Sequence, residues 1–348
     1  MIKQISVSKL RKNLNLCSFY SLIYFKYYKA LSNQNSYTMK NTTVILIILL
    51  FTYLNSPVLL AQKVKILFDA TKAETAGNAD WVIDSDQFDL SFGKGRKQSN
   101  PQRIPTPPAS QVKSNTPESF WKGGLSAWAI DLVKRGYEVE TLPSYGKISY
   151  KNKNNAQDLS NYQVFIICEP NIQFTKSEQE AILNFVKNGG GLFMIADHAD
   201  SDRNNDGCDS PCVWNDFFKN YQYPFGIEFA LDNVKETTTN IANEQIFTNG
   251  KAGKVSSLKF SNGASINIRD TKVAKGVVYL KNVKKGGSTG ALCAYGTYGS
   301  GRIIALGDSS PADDGTGDIK DKLWEGWDEE DGSHKNLIIN CTLWLINK

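Results

Sequence analysis

Short apolar runs bounded by polar residues recur along the chain and predict β-strands. Lys63–Ala70, Gln163–Pro170 and Gly191–His198 are rich in Val, Ile, Leu and Phe, and Tyr137–Leu142 has a weaker version of the pattern. Continuous apolar runs of this length are typical of strands buried on both faces, as in a parallel sheet.

Two segments between these strands predict helices. In Gly124–Arg135 apolar residues recur three and four positions apart, and Gly136 ends the pattern. Thr175 with Glu178 three residues later forms a capping-box sequence at the start of a second helix. Strand, helix and strand with short connections are typical of a parallel crossover. We therefore predict a Rossmann-like (flavodoxin-like) α/β fold, with a mostly parallel sheet and helices on both faces.

Other segments interrupt this pattern. Residues 85–118 contain five prolines among polar residues and predict a long surface loop. From residue 225 to about 290, short alternating runs separated by turns predict a small β-rich insertion. Ala291–Thr297 and Arg302–Asp308 flank a Gly-containing turn and predict a hairpin, and Lys335–Asn347 predicts a closing amphipathic helix.

The start of the chain has the character of a signal peptide. Val44–Tyr53 is an uncharged apolar run that follows a short basic segment. We predict a leader of residues 1–61 that is cleaved after Ala61, with Met39 as an alternative start, and a mature α/β domain of residues 62–348. The protein would then be secreted, to the periplasm or the cell exterior. An uncleaved anchor is the alternative, although the run is short for a bilayer.

Charge is distributed unevenly along the 348 residues. The whole chain has 40 Lys+Arg and 35 Asp+Glu, a net charge of +5, but residues 1–61 hold seven of the bases and none of the acids. The remainder carries 33 bases against 35 acids. This balance argues against a broadly basic nucleic-acid binder, and the ordinary globular composition excludes disordered and multi-span membrane proteins.

Export would permit disulfides, and five cysteines follow the predicted leader. Cys208 and Cys212 lie in a polar segment and are candidates for a disulfide. Cys168, Cys293 and Cys341 lie in apolar runs and are expected to be buried as free thiols.

Four predicted strands end at or near an acidic residue, namely Asp69, Glu169, Asp197 and Asp308. The carboxyl ends of parallel strands share one edge of an open α/β sheet, where ligands bind. A cluster of carboxylates there requires protonation, hydrogen bonds or a neutralising cation. We predict one shared site, although each acid could instead cap the turn that follows it.

The segment after Asp197 is similar to the first half of a calcium-binding loop. Asp202, Asn204 and Asp206 place oxygen donors at alternate positions, while the usual Glu at the twelfth position is missing. We predict a divalent cation here, calcium or another hard ion; the alternative is a solvated loop whose Asp and Asn residues form turns. The predicted ligands are Asp197, Asp200, Asp202, Asn204, Asp206 and Asp209.

Candidate catalytic groups lie at the same edge. The chain has two histidines, and His198 directly follows a predicted strand, whereas His334 lies elsewhere in polar sequence. Ser309 follows the strand that ends at Asp308 and could act as a nucleophile beside a base. We predict catalytic roles for His198, Glu169, Asp308 and Ser309; a structural role for each histidine is the alternative.

The motifs together resemble the class I glutamine amidotransferase-like superfamily, in a secreted bacterial branch. The resemblance spans about residues 63–346 and rests on FDATKAETAGNADWVID, GGLSAWAIDLVKRGYEVETLP, EPNIQFTKSEQEAILNFVKNGGGLFMIADHADSDRNNDG and YGSGRIIALGDSSPADDGTGD. It implies the fold more strongly than an activity. Where true amidotransferases carry a nucleophilic Cys in a Gly-x-Cys-x-Gly turn, this chain has Ala196–Asp200, so glutamine hydrolysis by a Cys-His pair is not expected.

These observations predict a secreted, metal-dependent hydrolase that acts on a small polar molecule or glycan, or on a phosphoester, at the carboxyl edge of the sheet. The metal would lower the pKa of a bound water while His198 or Glu169 moves the proton. Two alternatives are a non-catalytic ligand-binding domain with a structural calcium site and a metal-free Ser/His hydrolase. No nucleic-acid partner is expected, nor a membrane once the leader is removed, and the sequence does not specify an oligomeric state.

Overall fold

The computed structural model describes residues 63–85, 101–317 and 324–346. The predicted leader, with its cleavage site and alternative start, lies outside these ranges, as do residues 86–100 of the predicted surface loop. Among the described residues, none of the helices has the length and apolar character needed to span a membrane.

The strands and helices include those that the sequence predicts, in the predicted order, together with helices at Ser210–Asn220 and Gln245–Thr248 that it does not predict. The strands are β1 (Lys65–Asp69), β2 (Glu138–Leu142), β3 (Val164–Cys168), β4 (Gly191–Ile195), β5 (Ile227–Phe229), β6 (Val234–Thr238), β7 (Asn240–Ile241), β8 (Asn249–Gly250), β9 (Gly253–Lys254), β10 (Leu258–Gly263), β11 (Ile266–Ile268), β12 (Ala274–Tyr279), β13 (Ala291–Tyr298) and β14 (Gly301–Leu306). The helices are α1 (Ser126–Lys134), α2 (Lys176–Lys187), α3 (Ser210–Asn220), α4 (Gln245–Thr248) and α5 (His334–Ile346).

A ten-stranded sheet forms the centre of the fold, with a main strand order of β2-β1-β3-β4-β14-β13-β11-β5. The first five strands are parallel, whereas β13, β11 and β5 continue the sheet antiparallel. β12 pairs with β13 and β7, and two small sheets pair β6 with β10 and β8 with β9. The predicted α/β fold with a mostly parallel core is therefore confirmed, and the residue 225–290 segment contributes strands β5 to β12.

Successive residues of a strand point to opposite faces of the sheet, so each strand contributes apolar side chains to both faces. Helices cover both of these faces. Ile66 and Phe68 of β1 belong to the core that also contains residues of α1 and α5, whereas Leu67 belongs to the core that contains residues of α2 and α3. All three side chains are fully buried. The continuous apolar runs in the sequence follow directly from this two-sided burial.

The predictions of a capping box, a hairpin, a disulfide and buried free cysteines are also confirmed. At the start of α2, Glu178 accepts a hydrogen bond from the backbone N–H of Thr175 at 2.8 Å, which completes the predicted capping box. β13 and β14 form the predicted hairpin, with Tyr298 opposite Gly301. Cys208 and Cys212 form a disulfide, and the three cysteines within apolar runs are buried and free.

Residues 101–118 of the predicted surface loop contain no strand and only short 3-10 turns, at Ala109–Gln111 and at the start of Glu118–Phe120. The segment is nonetheless held to the domain. Arg103 pairs with Glu140 of β2 at 2.7 Å, and Gln102 donates to Asp84 at 2.6 Å.

Candidate functional site

The four acids predicted to share a site lie at one edge of the sheet. Asp69 is the last residue of β1, Glu169 follows β3, and Asp197 and Asp308 each come two residues after their strands, β4 and β14. These strands are parallel neighbours in the order β1-β3-β4-β14, so all four acids emerge on the same side. Each acid is at most 3% exposed, which makes the cluster buried rather than open to solvent.

Arg203 supplies positive charge to this cluster. Its Nη2 donates to Asp197 Oδ2 at 2.8 Å and to Glu169 Oε2 at 3.2 Å, while its Nε donates to the other oxygen of Glu169. Burial opposes the charged form of Arg203, but the two carboxylates outweigh it and raise its pKa above the ordinary value. The expected neutralising cation is thus a side chain of the protein itself, with only 12% of its surface exposed.

The backbone conformation of Glu169 sets the direction of its side chain. The φ angle of Glu169 is 50°, in the left-handed region that non-glycine residues rarely adopt. The Asn171 side chain donates to the backbone carbonyl of Glu169 at 2.9 Å. The sharp turn directly after β3 leaves the side chain against Arg203 and Ser309. Ser309 Oγ donates to Glu169 Oε2 at 2.9 Å.

Burial raises the pKa of two of these acids. It raises the pKa of Asp308 to about 7, although the backbone N–H groups of Ser261 and Ser310 donate to it at 2.9 Å each. Burial, with Glu169 nearby, raises the pKa of Asp197 well above its ordinary value. A carboxyl group with a pKa near 7, as for Asp308, can hold a proton near neutral pH and release it to a reacting atom.

Asp69 forms a carboxyl pair with Glu74, which sequence reasoning missed. Glu74 accepts from the backbone N–H of Lys72 at 2.6 Å. Burial raises the pKa of Asp69 to about 6 and, with Asp69 adjacent, raises that of Glu74 well above its ordinary value. Burial and a neighbouring carboxylate thus both disfavour the charged form of Glu74.

His198 is the more accessible imidazole at this edge. Its backbone N–H donates to Asp197 Oδ1 at 2.8 Å, and its Nδ1 is hydrogen-bonded to the carbonyl of Ala199. That carbonyl accepts only from a protonated Nδ1, so Nε2 is left as the basic nitrogen. Nε2 makes no hydrogen bond to any residue that the structure describes, and the side chain is half-buried.

His334 instead belongs to the scaffold. It is 1% exposed at the start of α5, where Nδ1 is hydrogen-bonded to the Gly326 carbonyl and Nε2 accepts from the backbone N–H of Lys259 at 3.0 Å. Burial lowers its pKa. His334 therefore has a structural role, which was the alternative prediction for both histidines. Neither histidine is hydrogen-bonded to Ser309.

The acids of the 200–209 loop face backbone amides. Asp202 accepts from the N–H groups of Asp206 and Gly207 at 3.1 and 2.7 Å, and Asp206 accepts from Cys208 at 3.0 Å. Asp209 caps α3 by accepting from Cys212 at 2.8 Å. Asn204 donates to Asp206, and Asp200 donates its N–H to Asp209.

Within the described ranges, no three or more His, Cys, Asp or Glu side chains gather in a way that could hold a metal ion. In this arrangement the predicted ligands do not fit a cation. Asp197 pairs with Arg203, and the oxygens of Asp202, Asp206 and Asp209 close turns.

Comparison with solved structures finds similar folds at low identity. The mmIFT52 N-terminal domain is 15% identical over 81% of this chain and 98% of its own length, with a TM-score of 0.46. A cytoplasmic protein from Salmonella typhimurium LT2 is 16% identical over 82% and 100%, with a TM-score of 0.45. A protein described as ThuA-like from Bacteroides uniformis is 16% identical over 84% and 96%, with a TM-score of 0.39.

No protein-family model and no curated protein matches the chain significantly. At these identities and TM-scores the similar structures carry no argument about the family or the activity of this chain.

Proposed function

We propose that the protein is a secreted hydrolase that cleaves a polar substrate, a glycan or a phosphoester, at the carboxyl edge of its parallel sheet. We also propose that it belongs to the secreted branch of the class I glutamine amidotransferase-like superfamily, on the basis of the motifs quoted above. The observation that supports the activity is that His198, whose Nε2 makes no hydrogen bond to a described residue, directly follows Asp197 at the buried carboxyl cluster.

His198 is suited to the role of general base. The hydrogen bond from Nδ1 to the Ala199 carbonyl orients the ring and leaves the Nε2 lone pair available to take a proton from water. Asp308, with a pKa of about 7, is suited to protonate the leaving group. Because Asp308 is fully buried, the proposal requires a local movement that exposes Asp308 when substrate enters.

Arg203 and Glu169 act as positioning residues in this scheme. Arg203 compensates the charge of Asp197 and Glu169, which a metal would otherwise do. The Ser309 hydroxyl donates to Glu169 and has no imidazole partner among the described residues, so it is better suited to orienting Glu169 than to attacking a substrate.

The test is an assay of the purified full chain on p-nitrophenyl glycosides, p-nitrophenyl phosphate and bis(p-nitrophenyl) phosphate. Each substrate is tested in EDTA and with added calcium, magnesium, manganese or zinc. We expect turnover in EDTA and a decrease in kcat of about 100-fold or more in His198→Gln. Lys235→Gln, at an exposed position on β6, is the matched control and should not change kcat.

Two results would count against the proposal. One is the absence of turnover on every substrate in every condition, and the other is a His198→Gln variant with the wild-type rate. Turnover only with added calcium would favour the metal-dependent alternative. A fluorophosphonate probe that labels Ser309 would favour the Ser/His alternative.

A second candidate is a non-catalytic ligand-binding domain. It is favoured by the 200–209 loop, whose acids are held by backbone amides and whose end is joined to α3 by the Cys208–Cys212 disulfide. This candidate predicts that Asp206→Ala lowers the melting temperature and ligand affinity while no product forms. If calcium stiffens the loop, it should raise the melting temperature of the wild type and not that of Asp206→Ala.

A further inference from the structure

An open groove of about 450 Å³ lies beside the second helix, away from the acid cluster. Its walls are the loop of residues 147–152, which follows β2, and the first part of α2 as far as Asn184. None of the four edge acids lines it. The volume falls within the range of roughly 300–1,000 Å³ that is typical of small-molecule sites.

The groove presents polar groups that the described part of the protein leaves unused. The exposed side-chain amide of Asn184, the ammonium of Lys147 and the hydroxyl of Tyr150 all line it, and none is hydrogen-bonded to a described residue. An amide both donates and accepts, as a phenol does. These groups therefore suit a ligand whose own groups both accept and donate hydrogen bonds.

The charges of the groove are balanced. Glu178 is already paired with Lys72 at 2.7 Å and caps α2, which leaves Lys147 and Glu180 as the opposing charges. An anion would approach the carboxylate of Glu180, and a cation would approach the ammonium of Lys147. This balance favours an uncharged ligand.

The floor of the groove is apolar. Ile148 and Ala181 are 5% and 8% exposed, and the Tyr150 ring packs edge-on against Phe185, with 6.5 Å between ring centroids. Aromatic rings and small apolar side chains pack against carbon-bound hydrogens, while amides and hydroxyls bind the polar rim of the same ligand.

We infer that this groove binds a neutral saccharide. Sugars combine an apolar ring face with hydroxyl groups that donate and accept, and they carry no charge, which matches the floor, the unused polar groups and the balanced charges. The inference does not rest on the proposed hydrolase activity, because the groove shares no residue with the edge acids or with His198.

The test uses the full chain with maltotriose, cellotriose and chitotriose, measured by saturation-transfer NMR and calorimetry. We expect at least one trisaccharide to bind at millimolar concentration or better. Asn184→Ala should weaken that binding about threefold to tenfold, as the loss of one hydrogen bond does. Tyr150→Phe, which removes the hydroxyl of a residue that lines the groove and keeps its ring, should also weaken it, and Lys187→Ala, an exposed α2 position outside the groove, should not.

Asn184→Ala separates binding from folding, because Ala has the higher helix propensity and no hydrogen bond of the Asn184 side chain to a described residue is lost. Its melting temperature should equal or exceed that of the wild type. Failure of all three sugars to bind, or binding unchanged in both Asn184→Ala and Tyr150→Phe, would overturn the inference. Binding abolished by His198→Gln would also overturn it, because the sugar would then occupy the acid edge. Absence of hydrolysis in the assay above leaves the saccharide result unaffected.

Discussion

Nη2 of Arg203 lies 2.8 Å from Oδ2 of Asp197, so the segment after β4 folds back over the strand end that it has just left. The same guanidinium binds Glu169 after β3, and its central carbon lies 5.9 Å from the centroid of the Trp81 ring. One side chain therefore joins the ends of two strands through the acids Glu169 and Asp197.

Arg203→Leu should destabilise the protein by about 3–5 kcal/mol, because removal of one partner leaves buried charge without compensation. The free energy of unfolding in urea measures this change. Arg135→Gln is the matched control: it removes an exposed pair with Asp131 on α1, which should contribute less than about 1 kcal/mol. Equal losses in the two variants would show that Arg203 does not hold the cluster.

Glu74→Gln should be tolerated, whereas Glu74→Ala should destabilise the protein by about 1–3 kcal/mol. The reason is that burial and the adjacent Asp69 disfavour the charged form of Glu74, so a neutral Gln of similar shape can replace it, whereas Ala leaves the Lys72 N–H without its acceptor. Thermal unfolding at pH 8 compares the two variants. If Gln and Ala lower the melting temperature equally, the hydrogen bond from Lys72 to the Glu74 side chain contributes nothing to stability.

The contribution of Asp308 to the free energy of unfolding should fall as the pH rises from about 4 towards 8. The folded-state pKa of about 7 lies above the ordinary value of 3.8, so the folded protein binds the proton more tightly than the unfolded chain. The stabilisation is complete below pH 4 and is lost as the pH passes through 7, by on the order of 1 kcal/mol per pKa unit. Asp308→Asn should flatten this slope in urea unfolding curves, and Asp270→Asn, at an exposed position, should leave it unchanged.

Removal of the Cys208–Cys212 disulfide in a double Ala variant should lower stability by about 2 kcal/mol, the value expected for a short closed loop. The effect should be local, because Cys208 ends the 200–209 loop and Cys212 lies in the first turn of α3. Hydrogen exchange should increase in residues 200–215 and stay unchanged in β1 and β3. Uniformly faster exchange would contradict this.

Much of the site's location could be predicted from the sequence. Asp69, Glu169, Asp197 and Asp308 each follow an apolar run, and parallel strands bring their carboxyl ends to one edge. Arg203 and Glu74 were missed because each reaches the cluster through a loop. The sequence did contain a signal for Arg203, since it is the single Lys or Arg within the acidic stretch from Asp197 to Asp209.

The role of the loop of residues 200–209, in contrast, could not be predicted from residue spacing. Its spacing of Asp and Asn predicts a cation, yet the same side chains also close turns by accepting from backbone amides, and the structure contains those turns. Spacing alone does not distinguish these outcomes, because both use alternating oxygen donors near a glycine.

The sequence by itself determined the strand and helix pattern, the capping box, the disulfide candidates and the shared edge of the four acids, because these depend on periodicity and on short-range spacing. Only the tertiary structure decided that Arg203 pairs with Glu169 and Asp197, that Glu74 joins Asp69, and that His334 is buried while His198 keeps a free nitrogen. Ion pairs and pKa values depend on distance and burial, and in this protein both are set by loops that return to the sheet edge from distant parts of the chain.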